Sequence, residues 1–219
     1  MAFDLEEQEQ LATIKAWWNQ YGNAITWLLI IAMAGVASWY GWKNYQTGQA
    51  SQASMLYEEL QKAVTAKDNV KVQRAATDME AKFSGTAYAQ MSALVAAKSA
   101  VDANDLGTAK AQLQWIIAGS GDDEFKSIAK LRLAGLLLDE KAFDAGLKLL
   151  DSEFPEQFAS AVADRKGDIL VAQNQRELAR AAYQTALDKS DAKNPGRQLI
   201  QLKLDAVGGA PAKAVSTTK

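Results

Sequence analysis

The most distinctive hydrophobic pattern in this chain is a long uncharged stretch near its start. It lies between Lys15 and Lys43, and its apolar part runs from Ala24 to Trp42. At a rise of about 1.5 Å per residue, these roughly 19 residues match the ~30 Å thickness of a bilayer's hydrocarbon core. Strongly apolar side chains in it are Ile25, Leu28, Leu29, Ile30, Ile31 and Val36. No charge opposes their insertion, so the pattern predicts one transmembrane helix at residues 23–42.

Aromatic residues collect at both ends of this stretch, as amphipathic rings do at the headgroup level of a membrane. They are Trp17, Trp18, Tyr21 and Trp27 before its centre, and Trp39, Tyr40, Trp42 and Tyr45 after it. The alternatives are a cleaved signal peptide and an ordinary core helix. A signal peptide has a basic start and a shorter apolar region, whereas this N-terminus is acidic, and the weak cleavage pattern Gly48-Gln49-Ala50 lies beyond the apolar run. An uncleaved anchor is favoured.

The rest of the chain is rich in good helix formers and lacks the alternating β-branched runs that are typical of strands. Helical segments are predicted at about 47–66, 69–83, 87–103, 106–118, 124–139, 143–152, 157–172, 176–189 and 195–206. Turn residues such as Ser84-Gly85-Thr86 and Asn104-Asp105 separate them. The predicted fold class is therefore all-α, with a single N-terminal transmembrane helix followed by a helical domain.

The predicted helices form self-similar pairs, with residues at the spacing of the tetratricopeptide consensus. The consensus positions are Gly167, Leu170, Ala179, Tyr183 and Ala186 in one pair, and Ala134, Leu137, Gly146 and Leu150 in the pair before it. Paired helices approach closely only where a small residue sits at their crossing. The expected crossing residues Ala109, Gly146 and Ala179 are 37 and 33 residues apart, and Ala75 would serve an earlier pair. The pattern predicts a tetratricopeptide-like repeat, with a generic helical bundle as the alternative.

Composition excludes most catalytic chemistry. The chain has no Cys and no His, which removes thiol nucleophiles, imidazole bases and metals held by these residues. Its acidic groups Glu58-Glu59, Asp122-Asp123-Glu124 and Asp139-Glu140 are typical of solvated helix faces and helix N-termini. The 24 basic residues are scattered among 26 acidic ones, so nucleic-acid binding is not expected. We expect no catalytic, cofactor-binding or metal-binding residues, and no enzyme activity.

The order of several motifs resembles the YfgM family, the ancillary subunit of the bacterial SecYEG translocon. The motifs are Glu6-Glu7-Gln8-Glu9-Gln10, Lys15-Ala16-Trp17-Trp18, Gly22, Gly41-Trp42-Lys43-Asn44-Tyr45 and, in the repeat region, ARAAYQTAL at residues 179–187. The resemblance covers roughly residues 4–207. It implies a single-pass inner-membrane protein that acts beside SecYEG and the periplasmic chaperone PpiD on proteins that leave the channel. The family offers no catalytic residues to transfer.

With this resemblance, the expected organisation has four parts. Residues 1–22 form a short cytoplasmic segment, 23–42 the transmembrane helix, 43–207 a periplasmic tetratricopeptide-like domain, and 208–219 a disordered tail. Leu199, Leu202 and Leu204 suit a last helix that caps the repeats. Charge does not fix the orientation, because Lys15 on one side is nearly balanced by Lys43 and Lys62 on the other.

The expected function is that of a membrane-anchored scaffold that binds SecYEG, PpiD and translocating polypeptides, and contacts lipid through its anchor. A structural envelope or division-complex adaptor without client binding is the alternative, and an enzyme with a carboxylate pair is disfavoured. No motif marks the surface that binds partners, so the partner-binding residues stay unassigned.

Overall fold

The computed structural model describes the backbone of residues 2–209 and the side chains of residues 10–209. These residues form nine α-helices and a 3₁₀ turn at Glu156–Phe158, and they contain no β-strand. The helices are α1 (Ala2–Thr65), α2 (Asn69–Phe83), α3 (Ala87–Asp102), α4 (Leu106–Gly119), α5 (Asp123–Asp139), α6 (Phe143–Leu150), α7 (Ala159–Ala172), α8 (Arg176–Lys189) and α9 (Arg197–Ala206). The predicted all-α class is confirmed. Residues 210–219 of the predicted tail lie outside the described residues.

The chain divides into two compact units, Met1–Gln52 and Ala53–Lys219. The first unit belongs to α1, which contains an 18-residue window with a mean hydropathy of 1.6 and no buried residue. Its large apolar side chains face outward, and Leu28 and Ile31 are 67% and 68% exposed. By length and composition this helix can cross a membrane.

The predicted membrane helix and the helix predicted to begin near residue 47 are one continuous helix. No proline interrupts the sequence before Pro155. Gly48 disfavours a helix interior by only about 1 kcal/mol. Thr47 Oγ1 also donates a hydrogen bond to the Lys43 carbonyl at 2.9 Å, within the helix. Nothing in this stretch ends the helix, which explains its continuation to Thr65.

The second unit is a series of helix pairs. The end of α1 packs against α2, α3 against α4, α5 against α6, and α7 against α8. The second helix of each pair also contacts the first helix of the next pair. Because the connections within pairs are only a few residues long, the paired helices run antiparallel. This is the helical-repeat architecture that the sequence predicts.

The turn within each pair has the same geometry. Its central residue is left-handed, with φ between 54° and 61°, and this residue is Lys67, Asn104, Lys141 or Asn174. The next N–H donates to a carbonyl five residues earlier, as in Asp68 to Ala63 at 3.0 Å and Gln175 to Leu170 at 2.8 Å. This is the Schellman ending of a helix. The left-handed residues are 37, 37 and 33 residues apart, which defines the repeat register.

α9 ends in the same turn. Gly208 is left-handed at φ 112°, and Gly209 N–H donates to the Leu204 carbonyl at 2.9 Å. α9 thus corresponds to the first helix of a fifth pair, of which the described residues include no second helix. The prediction that its leucines cap the repeats is only partly right, because Leu204 is buried whereas Leu199 and Leu202 are exposed. In the repeat register, those two exposed leucines match the polar residues Arg165 and Asp168 of α7.

Two buried positions recur in every pair, one on the first helix seven residues before the left-handed residue, and one on the second helix nine residues after it. The residues at these positions are Leu60 and Ala76, Ala97 and Leu113, and Ala134 and Leu150, each two of which belong to one buried cluster, and Gly167 and Tyr183, which lie against each other. The two residues always differ in size, and which helix carries the larger one changes along the chain. In the last pair, a Cβ atom added at Gly167 would lie 2.4 Å from Tyr183 Cε1. Only glycine fits there.

The crossing position of the first pair differs from its prediction. In the later pairs, the N–H of the crossing residue (Ala109, Gly146 or Ala179) donates to the carbonyl of the residue directly after the left-handed one. In the first pair, the N–H of Val72 makes this bond, to the Asp68 carbonyl at 3.0 Å. Ala75, predicted for this position, is therefore misplaced by three residues. The reason is that the first interval is 37 residues long, not the 34 of the consensus.

Candidate functional site

A cavity of about 860 Å³ lies along the first helices of three successive pairs. Most of its lining comes from α1 and α3, and α5 contributes Arg132. The lining side chains include Tyr57, Gln61, Val64, Lys67, Met91, Leu94, Val95, Lys98, Asp102 and Arg132. We call this region the inner cavity. It is a concave site in the repeat domain with both apolar and charged lining, and we take it as the candidate site for a partner.

Two opposite faces of α3 explain why a cavity forms here. One face consists of small residues, among them Ala93, Ala96 and Ala100, which are fully buried against neighbouring helices. The opposite face carries larger side chains at helical spacing, namely Met91, Leu94, Val95, Lys98 and Asp102, and these line the cavity. The small residues let the backbones approach, and the larger ones shape the concave surface. The stripe of larger side chains on α3 is the one local signal of this site in the sequence, although it does not show which residues of other helices meet it.

Side-chain hydrogen bonds fix the margins of the inner cavity. Ser99 Oγ donates to Asn69 Oδ1 at 2.8 Å, which joins the end of α3 to the start of α2. Gln73 Nε2 donates to the Ala96 carbonyl at 2.8 Å and reinforces the same contact. On the other side, Arg132 Nη1 of α5 donates to the Leu94 carbonyl at 3.2 Å. These bonds hold the lining helices in place without a ligand.

The charges of the inner cavity are mostly positive. Lys98 Nζ pairs with Asp102 Oδ2 at 2.8 Å, and both side chains are largely exposed. Lys67 and Arg132 have no ion-pair partner among the described residues. Lys67 is also the left-handed residue of the first turn, which places it at the mouth of the cavity. The site therefore carries two cations that no acid in the described part of the chain neutralises.

Beyond α5, the corresponding first helices α7 and α9 carry a polar network. Arg165 of α7 lies against Gly135, where an added Cβ atom would be 3.7 Å from the guanidinium carbon. Lys203 Nζ of α9 contacts Asp164 Oδ2 and Asp168 Oδ1, each at 2.8 Å. Tyr183 donates its hydroxyl to Asp168 Oδ1 at 3.0 Å. This network ties α7, α8 and α9 together.

The Tyr183 hydroxyl is a permanent donor in this network. Burial raises the pKa of Tyr183 well above its usual value, and the negative charge of Asp168 raises it further. The phenol therefore stays protonated at neutral pH and keeps its hydrogen bond to the carboxylate.

Two of the three acidic groups singled out by sequence contain residues that stabilise the fold. Asp122 accepts hydrogen bonds from the N–H groups of Glu124 and Phe125, at 2.8 and 3.2 Å, and so caps α5. Glu140 accepts a hydrogen bond from Lys110 Nζ at 2.7 Å, which links the end of α5 to α4. Among the described residues, no cluster of three or more carboxylates could hold a metal ion. None of these acids lines the inner cavity.

Comparisons with known proteins agree with this architecture. Residues 15–209 match the family described as a tetratricopeptide repeat-like domain. Three similar proteins are each named an ancillary SecYEG translocon subunit. The protein of Neisseria gonorrhoeae is 31% identical, over 94% of this chain and 100% of the relative's length. The protein of Aggregatibacter actinomycetemcomitans is 33% identical, over 94% of this chain and 99% of the relative's length. The protein of Escherichia coli is 32% identical, over 91% of this chain and 95% of the relative's length. No solved structure matches the chain significantly.

The fold and the family match together define a tetratricopeptide-like helical-repeat protein with one N-terminal helix able to cross a membrane. The similarity to the three named relatives extends over nearly the full length of this chain, which assigns it to one family within this class of proteins. The chain belongs to the YfgM family, whose curated members are named ancillary SecYEG translocon subunits.

Proposed function

We propose that this protein is a membrane-anchored helical-repeat interaction protein that acts beside the SecYEG translocon. One observation carries the proposal: the similarity to proteins named ancillary SecYEG translocon subunits extends over 94% of the chain. This similarity includes both α1 and the helix pairs. α1 provides a hydrophobic anchor, and the helix pairs provide an extended surface for protein partners.

The proposed organisation follows the sequence boundaries. Residues 1–22 lie in the cytoplasm, residues 23–42 cross the inner membrane in contact with lipid, and residues 43–207 form the repeat domain in the periplasm. The aromatic residues at both ends of the apolar stretch support this placement of the anchor, since they suit the two membrane interfaces.

In this position the protein assists periplasmic chaperones, PpiD among them, with polypeptides that leave the channel. The anchor keeps the repeat domain near the membrane, where its effective concentration toward the channel exit is high. Weak contacts then suffice to engage a passing chain. The acids discussed above serve as caps and ion-pair partners, which agrees with a binding role rather than catalysis.

Site-specific photocross-linking in intact cells tests this role. A photoreactive residue in place of Ile31 probes the anchor, and one in place of Val95 probes the inner cavity. Leu178 of α8 is exposed and lies outside the cavity, so it provides the matched control. We expect cross-links from residue 31 to Sec components, and from residue 95 to PpiD or to nascent envelope proteins, with few from residue 178.

A different pattern would contradict the proposal. Cross-links only to a static set of envelope or division proteins would support a structural adaptor without client binding. Equal yields of client cross-links from residues 95 and 178 would argue against the inner cavity as the partner site.

A further inference from the structure

We propose that the inner cavity binds acidic, apolar segments of polypeptide, whose carboxylates are held by Lys67, Lys98 and Arg132. This inference rests on the proposed function, because it names the chemistry of the chains that the repeat domain engages. It also assigns a binding surface and three contact residues.

Charge distinguishes the inner cavity from the rest of the molecule. The chain as a whole has a net charge of −2. The cavity lining, in contrast, has three cations and a single acid, Asp102. Within residues 10–209, Asp102 forms an ion pair with Lys98 alone, and because the side chains of Asp102 and Lys98 are 63% and 71% exposed, this pair is weak. A partner with complementary charge is therefore negatively charged.

Arg132 is positioned for a carboxylate before any ligand arrives. One N–H of its guanidinium is held by the Leu94 carbonyl at 3.2 Å, and the other N–H groups remain for a ligand. A planar guanidinium binds both oxygens of a carboxylate in a defined direction. Because the arginine is already oriented, less side-chain entropy is lost on binding.

The apolar part of the lining indicates that the ligand is a polypeptide rather than a small anion. Tyr57, Val64, Met91 and Val95 line the same cavity as the cations. The Tyr57 ring is supported by Tyr88, with ring centroids 5.6 Å apart. An inorganic anion would leave this apolar surface uncovered, whereas a segment with Leu or Phe between acidic residues covers it. The cavity extends along α1 and α3 as far as Arg132 of α5, which suits such a segment.

Three synthetic peptides of equal length test the ligand chemistry. The first places Asp and Glu between Leu and Phe, the second replaces the acids by Asn and Gln, and the third replaces them by Lys. Binding of each labelled peptide to the full chain in detergent micelles is followed by fluorescence anisotropy. We expect the acidic peptide to bind at least tenfold more tightly than the amide peptide, with an affinity that falls as salt is added. Equal affinities of these two peptides would overturn the inference.

Charge reversal tests the residues. Arg132→Glu and Lys67→Glu should each weaken the acidic peptide at least tenfold, and both should strengthen the Lys peptide. Lys148→Glu makes the same change of charge on an exposed part of α6 outside the cavity, and it should change either affinity less than twofold. If circular dichroism shows that a reversal disturbs folding, Arg132→Gln and Lys67→Gln replace it. Unchanged affinity in folded variants would contradict the assignment.

A parallel titration separates this inference from the proposed function. An unfolded envelope protein that binds the original chain and Arg132→Glu equally well would refute the acidic-segment site and leave the proposed function intact. If neither the unfolded envelope protein nor PpiD binds the original chain at about 100 μM, the proposed client role is refuted, since a dissociation constant above this concentration corresponds to a standard binding free energy weaker than about 5.5 kcal/mol. The preference for the acidic peptide over the amide peptide is measured separately, so its outcome does not depend on this titration.

Discussion

Side-chain volume is shared between the two helices of each repeat. Where the first helix carries Leu60, the second carries Ala76, and where the first carries Gly167, the second carries the much larger Tyr183. The summed volume of the two side chains varies less from pair to pair than the volume at either position. A close-packed interior has this property, because a cavity and an overlap are both destabilising. The small residue of the consensus is thus one half of a matched contact.

Substitution of Gly167 tests how tightly this contact is packed. In Gly167→Ala, the new methyl group would overlap the Tyr183 ring, whose atoms lie 2.4 to 2.8 Å from the Cβ position. We expect the free energy of unfolding to fall by about 1–3 kcal/mol. Thermal unfolding of the full chain in detergent, followed by circular dichroism, measures the change.

Gly135→Ala is the matched control, because it is the same exchange in the middle of a first helix. The nearest neighbour of the new methyl group would be the guanidinium carbon of Arg165 at 3.7 Å, which is an ordinary van der Waals contact. Here the gain in helix propensity should dominate, with a stabilisation of roughly 0.5–1 kcal/mol. If the melting temperature moved in the same direction in Gly167→Ala and Gly135→Ala, the close packing of Gly167 against Tyr183 would be contradicted.

Glu80 of α2 is predicted to make stability depend on pH. Burial raises the pKa of the Glu80 carboxyl, and a hydrogen bond with Gln112 lowers it by less. Because the folded state then holds the proton more tightly, the stability from this group is present at low pH and is lost as pH rises through the folded-state pKa. Glu80 Oε1 and Gln112 Oε1 are both buried acceptors without a donor among the described residues.

Glu80→Gln supplies such a donor and removes the buried charge. We expect this variant to melt at a higher temperature than the original chain at about pH 7.5, and the advantage to shrink or vanish at about pH 4. Melting curves of both chains at the two pH values provide the measurement. A difference in melting temperature that does not change with pH would rule out titration of Glu80 as its cause.

At the scale of helices, turn chemistry made the ends of the elements predictable from sequence. α2 to α9 begin and end within two residues of their predicted limits, because residues such as Asn104 and Asn174 adopt left-handed turns readily. The register of the first pair was not predictable in the same way. Leu60 and Ala76 reverse the usual order of sizes, so the consensus pattern is absent although the contact is present.

The inner cavity was also missed, and for a different reason. Its residues belong to separate repeats: Tyr57, Val95 and Arg132 are far apart in sequence and meet only when the helix pairs stack. A single sequence specifies the local turns, but it does not reveal which exposed side chains converge. The basic character of the cavity is hidden by the nearly balanced charge of the whole chain.

The apolar part of α1 is expected to act as a stable membrane anchor. The full chain should remain in the membrane fraction after carbonate extraction, whereas a chain that begins at Gln46 should be soluble and helical. Each arginine placed at the centre of a membrane helix costs about 2.5–3.5 kcal/mol, so Leu29→Arg combined with Ile30→Arg should move the full chain toward the soluble fraction. Membrane fractionation with immunoblotting gives the readout.

An opposite distribution would be decisive. Release of the unmodified full chain by carbonate would show that residues 24–42 do not span a bilayer. Retention of the chain that begins at Gln46 would locate the membrane attachment in the repeat domain instead.

For the whole molecule, the distribution of charge leaves the orientation in the membrane open to a direct test. Lys15 precedes the apolar stretch, and Lys43 and Lys62 follow it, so the count of basic residues hardly favours either side. Membership of the YfgM family, rather than charge, leads us to expect the repeat domain in the periplasm.

Protease added to intact spheroplasts should therefore digest residues after Trp42 and leave a fragment with the N-terminus and the anchor. A cytoplasmic protein should stay intact as a control for leakage. If the repeat domain survives until the membrane is lysed, it faces the cytoplasm, and neither PpiD nor a chain leaving the channel could reach the inner cavity.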